Sequence, residues 1–91
     1  MLYTINVTEL DITNGLACVD TRCPIALACI RAGMEKPSVC LTFVSYEHKD
    51  SVYSIMFPTV ARAFIKRFDS KLPVEPIQFV LDSECPYGPE N

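Results

Sequence analysis

Alternating apolar and polar positions open the chain. Tyr3, Ile5 and Val7 fall on one side and Leu2, Thr4 and Asn6 on the other, which predicts a half-buried strand over Leu2–Val7. Thr8, three residues before Asp11, has the spacing of a capping box, although Glu or Gln is the commoner partner at that position. A short helical turn over Glu9–Asn14 is expected, stopped by Gly15 in a left-handed conformation. Leu16–Arg22 reads as a connector. Cys23-Pro24 then opens a helix, since Pro suits the first helical position, and Ile25–Ile30 is apolar throughout. Such a helix lies flat on a sheet. Gly33 ends it.

Glu35-Lys36-Pro37 predicts a turn, and Val39–Tyr46, rich in β-branched and aromatic residues, a strand. Glu47–Asp50 reads as a polar hairpin loop and Val52–Phe57 as the returning strand. From Pro58-Thr59 to about Ser70 the period changes to that of a helix. Val60, Ala61, Phe64, Ile65 and Phe68 form its apolar stripe, with Arg62, Lys66 and Arg67 off it. Leu72-Pro73 breaks the pattern. Val74–Asp82 is the last strand, at an edge or beginning after Pro76, which has no N–H for a ladder.

With the two leading helical pieces merged, the order is β-α-β-β-α-β. That predicts an α+β fold of ferredoxin-like type, a four-stranded antiparallel sheet with two main helices on one face. The alternative is a three-stranded sheet with the first strand paired elsewhere. Residues 1–82 form a single domain in this reading, and 83–91, with two prolines and a glycine, a flexible tail. A continuous strand over Val39–Tyr46 makes both sheet faces apolar, because Val39, Leu41 and Phe43 oppose Cys40, Val44 and Tyr46. One face packs on the helices. The other is left for a partner or a second copy.

Composition narrows the function classes. The 91 residues leave room for one domain, and 49 % hydrophobic with 21 % charged residues argues against disorder. The longest uncharged run, Ser51–Ala61, is far below the roughly 20 residues of a membrane span. Met1–Asn6 has no basic start followed by an apolar run, so a cytoplasmic protein is expected. A net charge of −3 gives no general attraction to nucleic acid, and the Lys/Arg-Gly-Phe run of RNA-binding ferredoxin-like sheets is absent.

Five cysteines fit a disulfide framework poorly and suggest reduced thiols. Cys23 at a helix start beside Arg22 has two readings: a capping, partly buried cysteine with Pro24 fixing the helix start, or a candidate reactive thiol, lowered in pKa by the helix dipole, with Cys18 as its resolving partner. The Cys18–Cys23 gap is one that zinc sites use, but the remaining ligands are missing: His48 lies in the hairpin and Cys29 in the apolar helix. No metal or other cofactor is expected. No phosphate-binding glycine loop, nucleophile elbow or paired carboxylates are legible, so the expected activity is binding and not catalysis. Arg62, Lys66 and Arg67, with Lys71 just beyond, form a basic strip suited to an acidic partner or a phosphate. Tyr46, Tyr53 and Phe57 are the aromatics on which a ferredoxin-like sheet would stack RNA bases, and Tyr46 and Tyr53 are candidate ligand- or partner-binding residues.

Asp11–Gly15, Cys18, Cys23–Ala28, Ala63–Asp69 and Pro73–Phe79 together resemble a group of small proteins encoded by bacteriophages and prophages, over most of the chain except its tail. That group holds its two cysteines closer than the four residues that separate Cys18 and Cys23, which weakens any shared metal or redox role. The resemblance implies a phage origin and life in the cytoplasm of an infected bacterium. It implies no chemistry. The leading expectation is a dimeric phage accessory protein that binds a host or defence component. A nucleotide-sequestering protein using Arg62, Lys66 and Arg67 with an aromatic, and a thiol enzyme at Cys23, are the alternatives.

Overall fold

A computed structural model describes residues 1–84. The elements run β1 (Leu2–Val7), α1 (Glu9–Asn14), α2 (Pro24–Arg31), β2 (Glu35–Val39), β3 (Phe43–His48), β4 (Ser51–Met56), α3 (Thr59–Asp69) and β5 (Ile77–Asp82). The architecture is α+β, but the strands form two antiparallel sheets: β1 with β5, and β2-β3-β4. The single four-stranded ferredoxin sheet does not form. The outcome lies closer to the three-stranded alternative, with β1 paired elsewhere. Its partner is β5, in unbroken register from Leu2↔Asp82 to Val7↔Ile77.

One physical reason for the split is the 35–46 segment. Glu35-Lys36-Pro37, expected as a turn, belongs to β2, and the expected strand Val39–Tyr46 is broken at Leu41-Thr42. The Cys40 N–H donates to the Phe43 carbonyl at 2.8 Å and closes a hairpin. Val39 therefore pairs with Val44, and both side chains are buried on the same face. This reversal leaves the outer face mixed and not continuously apolar, with Phe43, Met56 and exposed Val52 sharing it with polar residues. On the outer side Ser38, Ser45 and Ser54 stand in a row, with the Ser45 and Ser54 hydroxyls 3.3 Å apart. The next hairpin is tighter than expected. Lys49 and Asp50, both at positive φ, make a two-residue turn, and His48 is the last residue of β3.

The core lies between the inner faces of both sheets and the two longer helices. Ile5, Ile25 and Ile55 are almost completely buried, and Phe57 meets Phe79 edge-on at 5.9 Å between ring centres. α2 packs on β1 and β2, and α3 on β5. α2 ends as its sequence requires. Gly33, at φ 104, carries the left-handed residue after the cap, and the Gly33 and Met34 N–H groups donate to Ile30 and Cys29 carbonyls at 3.0 and 3.1 Å. β5 begins just after Pro76. Ser83, expected in the loose tail, donates its N–H to the Met1 carbonyl at 3.0 Å, and the rest of that tail, from Cys85, lies outside the described residues.

Gly15 ends α1, but not in the left-handed conformation: its φ is −72. Glycine is required there for space. A Cβ would stand 2.5 Å from Pro24 Cδ and 2.7 Å from Pro24 N, at the start of α2. Gly15→Ala is expected to destabilise the fold by about 1–2 kcal/mol through this overlap, read as a lower urea midpoint. An unchanged midpoint would show that the connector yields freely.

Candidate functional site

Two regions gather the candidate residues. The first is a cavity of about 80 Å³ at the start of α2. The connector supplies Cys18 and Asp20, the helix start Cys23, the β2–β3 turn Cys40, and α3 the wall of Phe64, Phe68 and Asp69. The connector is held in place by its backbone. Arg22 and Cys23 N–H groups donate to the Val19 carbonyl at 3.0 and 2.9 Å, Val39 N–H to the Asp20 carbonyl at 2.9 Å, and Cys18 N–H to Asp69 Oδ1 at 3.0 Å. A space of 80 Å³ takes a few waters at roughly 30 Å³ each, not a nucleotide.

Cys23 caps α2 as the sequence indicates, its sulfur accepting the Ala26 N–H at 3.4 Å. Its electrostatics run against the reactive-thiol reading. Burial pushes the Cys23 thiol up; the Ala26 and Ile25 N–H groups pull it down without prevailing, and the Asp69 and Asp20 carboxylates add to the rise. A helix start lowers a thiol only when the sulfur also keeps solvent or a cation, and Arg22 points its charge from an exposed residue. Cys18 does line the same cavity and is exposed. Cys40, a third thiol on the wall, was not legible as a neighbour, because it arrives from the turn that the strand pattern concealed. Cys29 is buried deeper, which pushes its thiol up to about 12. Among the described residues no three His, Cys, Asp or Glu side chains are placed to hold a metal ion.

A thiol-labelling order follows. With a maleimide near neutral pH, Cys18 is expected to react first among the thiols of the described residues and Cys29 only on unfolding, as followed by peptide mass spectrometry. Early labelling of Cys29 would contradict the closed core.

The second region is the exposed side of α3. Arg62 donates from Nη2 to Thr59 Oγ1 at 3.1 Å, and Arg67 from Nε to the Pro73 carbonyl at 3.0 Å. Arg62 and Lys66 share a groove with Leu41, Thr42 and Thr59, whereas Arg67 lines a different one with Val60 and Pro73–Ile77. Lys71 follows the helix at φ 61, the left-handed residue of its C-terminal motif.

The two tyrosines lie apart from these cations. Tyr46 and Tyr53 are cross-strand partners with ring centres 5.9 Å apart, and neither lines either groove. Tyr46 is buried edge-on against Tyr3, and burial, with Tyr3 beside it, pushes its phenol up. Tyr53 is exposed and stands 6.2 Å from the His48 ring. The five candidate ligand- or partner-binding residues are thus distributed over three places.

Among the described residues no helix is long and apolar enough to cross a membrane. No family model, curated protein or solved structure matches this chain.

Proposed function

We propose that this chain acts by binding, as a small phage accessory protein that engages an acidic surface of a host or defence protein, and that it catalyses no reaction. The observation that carries this reading is the charge on α3. Arg62, Lys66, Arg67 and Lys71 are half of the 8 basic residues of a chain whose net charge is −3. Among the described residues the ion pairs are Arg31–Asp11 and Lys36–Glu47, so no described carboxylate forms an ion pair with the strip, though Glu75 shares the groove of Arg67. Asp69, the acid within it, accepts the Cys18 N–H instead. Exposed Lys66, Arg67 and Lys71 and the half-buried Arg62, beside exposed Val60 and Leu72, suit a protein surface that offers carboxylates around apolar contacts. The separation of Arg67 from Arg62 and Lys66, and of all three from the tyrosines, favours a broad partner over a nucleotide.

The test compares tagged wild type with the R62E/K66E double variant in lysate from an infected host, at low salt and at 0.5 M NaCl. The reading expects a protein retained by wild type at low salt and lost both on charge reversal and in high salt, where the screening length falls to a few ångströms. Equal recovery by both forms would refute it. A nucleotide panel at millimolar concentration supplies the contrast: a rise in Tm abolished by the same variant would replace the protein partner with a nucleotide.

A further inference from the structure

The two edges of the three-stranded sheet differ. β2 is a poor template for another strand. Pro37 lacks an N–H, Lys36 sits at φ 48, the register shifts between Glu35 and Ser38, and the Val39 N–H is taken by the Asp20 carbonyl at 2.9 Å. β4 has none of these protections. Ser51–Met56 contains no charge, proline or glycine, and pairs with β3 without a break from Phe43↔Met56 to His48↔Ser51.

The direction of its free groups follows from one bond. The Phe57 N–H donates to the Thr42 carbonyl at 2.9 Å, which makes Thr42 and Phe57 a hydrogen-bonded pair. Antiparallel pairs alternate, so Ser51, Tyr53 and Ile55 turn their backbone groups towards β3 and Val52, Ser54 and Met56 turn theirs outward. Ser51 to Ser54 are exposed, with Val52 72 % accessible, whereas Ile55 is buried at the end where Phe57 meets Phe79 of the other sheet. The open part of the edge is therefore the part nearest the Lys49-Asp50 turn.

We infer that β4 pairs antiparallel with β4 of a second copy about a two-fold axis at Tyr53, joining two three-stranded sheets into one of six strands. Val52 then lies opposite Ser54 of the other copy, in both directions, and their outward N–H and carbonyl groups satisfy one another. Tyr53 meets its own counterpart at the position without backbone bonds, where side chains approach most closely. A two-fold axis sets each residue against its own chain's sequence, so any charge on the strand would face a like charge nearby. This strand carries none. The two β2 edges left at the ends are blunted, so growth stops at two copies.

The pairing is small. A strand of 6 residues is only about 20 Å long, too short for its edge to bury the about 1,200–2,000 Å² of a standard interface. The dimer is consequently weak and concentration-dependent. It is independent of the proposed acidic partner, because α3 lies outside it.

Sedimentation velocity from 10 μM to 1 mM tests the pairing. The mass is expected to rise from 10.2 kDa towards twice that value. The Val52→Lys variant places a charge on the open edge and is expected to weaken self-association at least about tenfold. A second readout needs no substitution: in hydrogen exchange, the Val52 and Ser54 amides gain protection as concentration rises. A monomer at 1 mM would overturn the inference. So would a dimer that tolerates Val52→Lys and leaves those two amides unprotected, since it would use another surface.

Discussion

Ile25→Ala is expected to lower stability by about 3–4 kcal/mol, a large part of the roughly 5–14 kcal/mol available to a domain of 91 residues. Ile25 is 0 % exposed near the start of α2, within the cluster that joins both sheets. Truncation removes transfer free energy and leaves a cavity, together about 2–5 kcal/mol at such a site. Alanine is the better helix former by a few tenths of a kcal/mol, so the loss measures packing and not helix propensity. The same helix supplies the control. Ile30 is 51 % exposed, and Ile30→Ala is expected to cost under about 1 kcal/mol. In urea the Ile25→Ala midpoint should fall with the slope unchanged. Equal losses at both positions would place the core on the wrong face of α2.

Much of the fold was legible because local chemistry and tertiary placement agree. The strict alternation of Leu2–Val7 gave β1 with its buried face, since a strand against a core needs period two. Thr8 and Asp11 formed the capping box their spacing announced, and Cys23-Pro24 opened α2. The hairpin at Leu41-Thr42 was hidden for a specific reason. Turns are signalled by Gly, Asn, Asp or Pro, and this turn has none of them, so eight β-prone residues read as one strand. The Glu35–Pro37 segment failed in the opposite sense: a turn-like tripeptide sits in an edge strand, where a proline N–H is not needed. These two errors moved the sheet boundary and produced the ferredoxin-like expectation. At the candidate sites, helical spacing placed the cations of α3 outward correctly. It could not show that Arg67 enters a different groove, or that Tyr46 is covered by Tyr3, because both depend on contacts between distant segments. Of the two readings of Cys23, the capping, partly buried cysteine agrees with its place at the start of α2, while the reactive thiol rests on helix-dipole reasoning that omits burial, the larger effect there.

The second large effect concerns a contact with no sequence signature. Among the described residues Asp11 is the one buried polar or charged residue, and Arg31 grips it with both Nη atoms, at 2.9 and 2.6 Å. Arg31 also donates to the Asn6 carbonyl at 2.6 Å, and Asp11 accepts the Thr8 N–H at 2.9 Å. One carboxylate thus ties β1 and α1 to the last turn of α2. A helix of 6 residues has little stability of its own, so α1 depends on this anchor. Asp11→Ala is expected to cost about 2–3 kcal/mol: about 1 for the lost cap and the remainder for charged hydrogen bonds, reduced because Arg31 is half exposed. Arg31→Lys should fall between, since an ammonium cannot reproduce the two-pronged contact. Burial pushes the Asp11 carboxyl up, but the bonds from Arg31 and Thr8 outweigh it and hold the group below the usual carboxylate range. The sign of the pH effect follows. A lowered folded pKa contributes stability that is complete above the unfolded value of about 4 and is lost as pH falls through the folded value. The wild-type and Asp11→Ala unfolding curves should therefore differ most near neutrality and draw together as the pH falls below the unfolded value and through the folded one. A gap that stays constant from pH 7 to pH 2 would mean that the carboxylate's charge contributes nothing, and that α1 is held by packing alone.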